Sequence, residues 1–133
     1  MCVFCKIVSG EIPAYKIYED EFFIAFLDIS QATIGHTLIV TKQHFENIFA
    51  LNTDLAGKLG KLTIQLADHL KRVLKIENIN LINNSGILAG QTVYHFHLHL
   101  IPRYENDGML IKFNQNNLSS EKLNDLFTKL KMN

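Results

Sequence analysis

Three of the six histidines stand within five residues, at His95, His97 and His99. Imidazole titrates near neutrality, so it can serve as nucleophile, proton carrier or metal ligand. On extended backbone, alternate side chains face opposite ways. The three histidines would then share one face, and Tyr94, Phe96, Leu98 and Leu100 the other. The apolar face has a core to pack on, whereas the histidine face gains nothing from hydrophobic burial and calls for a chemical reason. Three readings fit the spacing: solvent-facing polar positions, a metal site on a His-x-His pair, or an imidazole that attacks phosphorus to form a covalent phosphohistidine. Spacing alone leaves the last two open.

Immediately upstream runs Asn84-Ser85-Gly86-Ile87-Leu88-Ala89-Gly90-Gln91-Thr92. A glycine-containing loop lets backbone N–H groups approach an anion, with Asn, Gln and Thr as further donors. An anion cradle beside a histidine face favours phosphoryl chemistry.

The elements that must position these residues follow from local pattern. Phe4–Ser9 reads as a short helix ended by Gly10. Lys16–Glu19 and Phe22–Leu27 read as a hairpin turning at Asp20-Glu21, and Thr37–Thr41 as a third strand. Asn52 or Thr53 caps a long helix, ending near Ile76, with Leu55, Leu59, Leu62, Leu66, Leu70 and Leu74 on one stripe. His69 on that helix reads as structural or solvent-facing. Ile79–Asn83 reads as a short strand, and a last strand runs from Thr92 to about Ile101, where Pro102 should end pairing. Ser119 or Ser120 caps a final helix expected to bury Leu123, Leu126, Phe127 and Leu130. The expectation is an α+β fold: an antiparallel sheet of about five strands, one long helix and a C-terminal helix. It forms one domain over residues 1–133, with a helical tail at about 119–132.

Charge narrows the partners. Thirteen Lys and Arg balance thirteen Asp and Glu, so no overall basic field draws the chain to nucleic acid or an anionic membrane. No run approaches the roughly 20 apolar residues of a membrane span, and the first residues lack a signal-peptide pattern. A cytoplasmic protein acting on a small molecule is expected. Cys2 and Cys5, the only cysteines, then need a role other than a disulfide.

The run Gly90-Gln91-Thr92-Val93-Tyr94-His95-Phe96-His97-Leu98-His99-Leu100-Ile101 resembles the signature of the histidine triad (HIT) family, His-φ-His-φ-His-φ-φ with φ apolar. The Hint-like branch is resembled in Phe4-Cys5-Lys6-Ile7, Gly10-Glu11-Ile12-Pro13, Tyr18-Glu19-Asp20, Ala25-Phe26-Leu27-Asp28-Ile29 and Gly35-His36-Thr37-Leu38-Ile39-Val40, followed by Lys42-Gln43-His44. The likeness spans residues 2 to 104. It implies the HIT-like fold and a hydrolase that releases a purine nucleoside monophosphate such as AMP or GMP from a phosphoramidate or related conjugate. Dinucleoside polyphosphate cleavage by the same nucleophile, or nucleotide binding with incidental catalysis, are the alternatives. A zinc hydrolase with metal on His97 and His99 is the rival chemistry.

The resemblance also distributes roles. His97 matches the nucleophile, His99 the triad member at the phosphate and leaving group, and His36 a fourth histidine near that phosphate. An imidazolium, with His99 as candidate, would protonate the departing amine. Asn84, Gly90, Gln91 and Thr92 match phosphate contacts, and Asp28 the carboxylate that takes the ribose hydroxyls. Phe4, Ile7, Phe26 and Ile29 would wall the purine; Phe4, Ile7 and Phe26 would equally suit a core. Cys2, Cys5, His44 and His95 match a closed structural Zn²⁺ site found in some bacterial members, with no catalytic metal expected. Homodimers joined through their sheets are the expected assembly. Two departures stand out: Gln31 and Thr41 occupy positions where the family commonly has proline, and both substitutions should loosen their loops.

Overall fold

The apolar residues of the strands sort to the two sides of one sheet, and that sorting places the histidines. The computed structural model describes residues 2–133. In chain order the elements are α1 (Val3–Ser9), β1 (Lys16–Glu19), β2 (Phe23–Leu27), β3 (Thr37–Thr41), α2 (Thr53–Leu74), β4 (Asn78–Ile82), β5 (His97–Arg103) and α3 (Ser120–Leu130). The strands form a wholly antiparallel sheet in the order β1-β2-β3-β5-β4. This is the expected α+β architecture.

One sheet face carries α2. The Asn52 side chain accepts from Leu55 N–H (2.8 Å) and caps the helix, a contact worth about 1 kcal/mol. Lys75, at φ 56°, ends it in a left-handed turn. The leucine stripe then packs Leu55, Leu62, Leu66 and Leu70 onto Phe23, Ala25, Ile39 and Leu100. Truncating Leu66 or Leu100 to alanine should cost about 2–5 kcal/mol, because the surrounding structure only partly closes the void.

The opposite face is covered by α1. Phe4 joins Ile24, Phe26, Leu38 and Val40 in a second apolar cluster. The β3–β5 register sets His97 against Val40 and His99 against Leu38. Both histidines therefore project to the α1 side, while Leu98 and Leu100 serve the α2 side. The period-two alternation of this segment thus holds where it is a strand.

Three expectations need correction. The last strand begins at His97 rather than Thr92. Before it, the chain bends so that the Phe96 N–H meets the Phe45 carbonyl (2.6 Å), and the His95 ring takes the Thr41 carbonyl. Pro102 does not end the pairing: β5 continues to Arg103, with Pro102 opposite Ile79. Proline lacks only the N–H, so its carbonyl remains free to accept from the Thr33 hydroxyl (2.5 Å). The last helix forms, capped by Ser119, but its apolar stripe is not buried. Leu123, Leu126, Phe127 and Leu130 are 54, 42, 62 and 68% exposed.

Candidate functional site

A cavity of about 390 Å³ opens on the α1 side of the sheet, where α1, the end of β2 and the loop before β5 converge. His97 and His99 lie in its wall, together with Phe4, Ile7, Phe26, Asp28, Ile29, Asn84, Gly90, Gln91 and Thr92. Of the residues assigned to nucleotide chemistry, only His36 lies outside this wall. The sequence reading missed the remaining apolar lining, chiefly Val3, Leu38 and the turn at Ile12–Ala14. The Gly10-Glu11-Ile12-Pro13 motif was the available signal for that turn.

Each histidine is set by the partner on its second nitrogen. His97 donates Nδ1–H to the His95 carbonyl (2.8 Å), which leaves the lone pair on Nε2. Burial holds its pKa below the ordinary value, although that hydrogen bond and Asp28 pull the other way. His97 is therefore neutral at pH 7, with one defined nucleophilic nitrogen. Phe4 stands edge-on to the ring at 5.0 Å, and Asn83 donates to the His97 carbonyl (2.9 Å). Phe4 is 7% exposed, so it is both core residue and cavity wall.

His99 is fixed by a chain of donors that starts on the backbone. Ala32 N–H donates to His36 Nδ1 (3.1 Å), which occupies that lone pair and puts the ring proton on Nε2. That nitrogen lies 2.8 Å from His99 Nδ1 and donates to it. His99 then presents an Nε2–H. Burial, followed by repulsion from His97 and His36, pushes the His99 pKa down to about 4. In the free protein His99 is thus a neutral N–H donor. His36 is buried behind it, with Asp28 Oδ2 at 3.7 Å from His36 Nε2. Asp28, His36 and His99 also bring ligand-capable atoms together.

The loop before β5 is built around Gln91. Its carbonyl accepts from Gly86 N–H (2.8 Å), and its amide donates to the carbonyls of Glu46 (2.7 Å) and Val93 (3.1 Å). The side chain expected at the phosphate is engaged within the scaffold and gives the cavity its shape. Gly86 and Gly90, at φ 98° and 89°, take a backbone conformation that residues with a Cβ avoid. Asn84 and Thr92 remain as side-chain donors in the wall.

On the far side of Phe4 lies a second constellation. Cys2 Sγ (3.4 Å), Cys5 Sγ (3.5 Å) and His44 Nδ1 (3.1 Å) all approach His95 Nδ1, and Cys5 Sγ lies 3.3 Å from His44 Nδ1. His95 donates Nε2–H to the Thr41 carbonyl (2.6 Å), so its Nδ1 holds the lone pair. A single lone pair cannot satisfy three donors, whereas a cation at the centre satisfies all four groups. The spacings approach the roughly 3.3–3.8 Å edges of a tetrahedron with bonds of about 2.0–2.3 Å. The four residues therefore fit a closed N₂S₂ metal site. Among the described residues, the second group of ligand-capable atoms joins His99 to Asp28 and His36 and does not include His97.

At the two departures from proline the structure shows the contacts each residue makes. Thr41 is wholly buried and supplies the carbonyl that orients His95. Gln31 bonds at both ends of the β2–β3 loop through its side-chain amide.

Comparison with known proteins agrees with this geometry. Residues 9–106 match the HIT domain family. The crystal structure of a HIT-family member from Bacillus subtilis superposes with a TM-score of 0.92 at 39% identity, covering 97% of this chain and 94% of that one. The adenosine 5′-monophosphoramidase of Saccharomyces cerevisiae is 34% identical over 97% of this chain and 80% of its own length. A zinc-bound histidine triad protein from Mycobacterium smegmatis matches with a TM-score of 0.77 at 36% identity, covering 86% of this chain and 84% of that one.

Proposed function

The chain belongs to the HIT family, and we propose that it hydrolyses purine nucleoside phosphoramidates and related nucleotidyl conjugates through a covalent nucleotidyl-His97 intermediate. The observation that carries this reading is the His97 tautomer: Nδ1–H bound to the His95 carbonyl, burial that keeps the ring neutral, and Nε2 left as the nucleophile in the cavity wall. The likeness to a yeast adenosine 5′-monophosphoramidase supports the substrate class.

The reaction follows from the placement of donors. Apolar side chains from α1 and β2 wall the base, and Asp28 at the cavity edge accepts from the ribose hydroxyls. His97 Nε2 attacks the α-phosphorus in line, and Asn84, Thr92 and the His99 Nε2–H face the charge that builds on the phosphoryl oxygens. The phosphorus–nitrogen bond breaks as the leaving amine gains a proton. Because His99 is neutral in the free protein, that proton enters when the anionic substrate binds, which raises the proton affinity of the site. Water then cleaves the His97–phosphorus bond and releases the monophosphate, which regenerates neutral His97.

Cys2, Cys5, His44 and His95 would hold a structural Zn²⁺, which clips α1 to the segment leading into β5; a zinc-bound relative supports this assignment. The metal would supply folding energy and not enter the reaction. Ligation by two thiols calls for a reducing compartment such as the cytoplasm. Among the described residues no helix is long and apolar enough to cross a membrane. A homodimer would give the exposed apolar stripe of α3 a surface to cover it.

The test is monophosphate release from adenosine 5′-phosphoramidate, paired with mass spectrometry of acid-quenched enzyme. A nucleotidyl adduct on His97 during turnover is expected. Turnover that continues at the wild-type rate in His97→Ala would overturn the assignment.

A further inference from the structure

The β2–β3 loop carries two residues of the site, Asp28 at its start and His36 at its end. Across it lies a single side-chain amide with all four hydrogen-bonding positions filled. Gln31 Nε2 donates to the carbonyls of Asp28 (2.5 Å) and His36 (2.7 Å), and Oε1 accepts from the N–H groups of Gly35 (2.8 Å) and His36 (3.1 Å). Two hydrogens meet two carbonyls, and two lone pairs meet two N–H groups, which also fixes the amide's orientation. Gln31 itself is exposed and does not line the nucleotide cavity.

We propose that Gln31 is a positioning residue for the catalytic histidines: its amide closes the β2–β3 loop around His36, and through His36 it sets the hydrogen that His99 presents to the substrate. This inference rests on the phosphoramidase reading for its effect on rate, but not for its effect on the rings. Gln31 grips the His36 backbone at both N–H and C=O. Ala32, the residue beside it, donates the N–H that holds His36 Nδ1. With that N–H in place, His36 carries its proton on Nε2 and His99 receives it at Nδ1. The rest of the loop is anchored to β5 and just beyond it, by Thr33 to the Pro102 carbonyl and by Tyr104 to the Ile34 carbonyl (each 2.5 Å). The Asp28–Ala32 half meets His36 through the Asp28 N–H on the His36 carbonyl (3.0 Å) and the Ala32 N–H on its ring, and Gln31 is the side chain that braces both ends of that half. With these backbone and β5 contacts the loop survives loss of Gln31, and what the amide adds is the placing of the Ala32 N–H against the His36 ring.

The experiment compares wild type with Gln31→Ala and with Gln31→Glu, which keeps the shape but turns both donors into acceptors facing carbonyls. Three quantities are read: kcat and KM for adenosine 5′-phosphoramidate, imidazole ¹⁵N shifts of the free proteins, and the melting temperature. The expected result is a kcat about tenfold lower in both variants, with His36 and His99 nitrogen signals moving from one defined tautomer towards averaged values. Wild-type ring signals in the variants would overturn the proposal, even if the melting temperature falls, because Gln31 would then only stabilise the loop. Should Gln31→Ala not fold, the isosteric Gln31→Glu carries the same readouts. If wild type itself releases no monophosphate, the functional reading fails, and the ring signals still decide the role of Gln31.

Discussion

The metal-type cluster around His95 and the cavity around His97 and His99 use the same side chain, two residues apart, in opposite states. In the cluster, a peptide carbonyl takes His95 Nε2–H and leaves the lone pair on Nδ1, facing two thiols and His44. In the cavity, a peptide carbonyl takes His97 Nδ1–H and leaves the lone pair on Nε2. His99 is set the third way, with its Nδ1 lone pair occupied by His36 and an N–H turned to the site. The difference teaches that the role of an imidazole is written by the group on its other nitrogen. The two regions are also physically joined. The His95 carbonyl orients His97, and Phe4, between the two cysteines in sequence, packs against both rings.

Separating the regions is the sharpest way to test that comparison. His97→Ala should reduce monophosphate release by about a thousandfold or more, with AMP affinity and metal content close to wild type. Loss of metal in that variant would show that the cavity and the cluster are one unit.

The converse experiment removes the cluster. Cys2→Ser with Cys5→Ser should abolish stoichiometric zinc, measured by elemental analysis. It should also lower stability by about 4 kcal/mol when free metal stands a thousandfold above its dissociation constant. The nucleophile remains, so activity per folded molecule should fall far less than in His97→Ala. An equal fall would break the division of labour.

A third test exploits acid. The His99 pKa is about 4 in the folded protein and about 6.5 when unfolded, so the unfolded chain binds more protons between these values. Its contribution to stability is complete above pH 6.5 and declines as pH falls towards 4. The full difference is worth roughly 3 kcal/mol. Urea unfolding at pH 7 and pH 5, at fixed metal, should show a steeper loss in wild type than in His99→Gln. Equal slopes would mean that His99 is solvated or paired rather than buried neutral.

The smallest expected effect lies at the cavity edge. Asp28→Asn should raise KM about tenfold, or about 1.4 kcal/mol, with kcat within about twofold, as for a group that binds ribose rather than the reacting atoms. A larger fall in kcat would shift the role of Asp28 towards the nearby His36.

Strand and helix positions were largely legible because they rest on local pattern. Thr37–Thr41 and the capped leucine helix needed only β-branched content, an Asn cap and three-four spacing. The failures arose where distant groups intervene. The bend before His97 depends on Phe45 and Thr41, some fifty residues away. Pro102 stays in β5 because the β3 pairing ends at Leu100 and Pro102 turns its carbonyl to Thr33 beyond it, where no strand calls for the N–H that proline lacks. The stripe of α3 reads as core by period alone, yet the described chain offers it no cover.

For the site, the sequence by itself determined the inventory: three histidines at period two, a glycine loop beside them, two thiols three apart, and Asp28 and His36 flanking one loop. Residue type and spacing suffice for that, since they fix which atoms exist and which share a strand face. Only the tertiary structure decided what each atom does. For His95 and His99 the nitrogen that holds the proton is set by Thr41 and His36, distant in the chain; for His97 the deciding carbonyl is only two residues off, but the bend that aims it and the burial that keeps the ring neutral come from packing. Gln31 makes the same point from the other side: nothing about an exposed glutamine in a loop announces that its amide joins both ends of the turn holding His36.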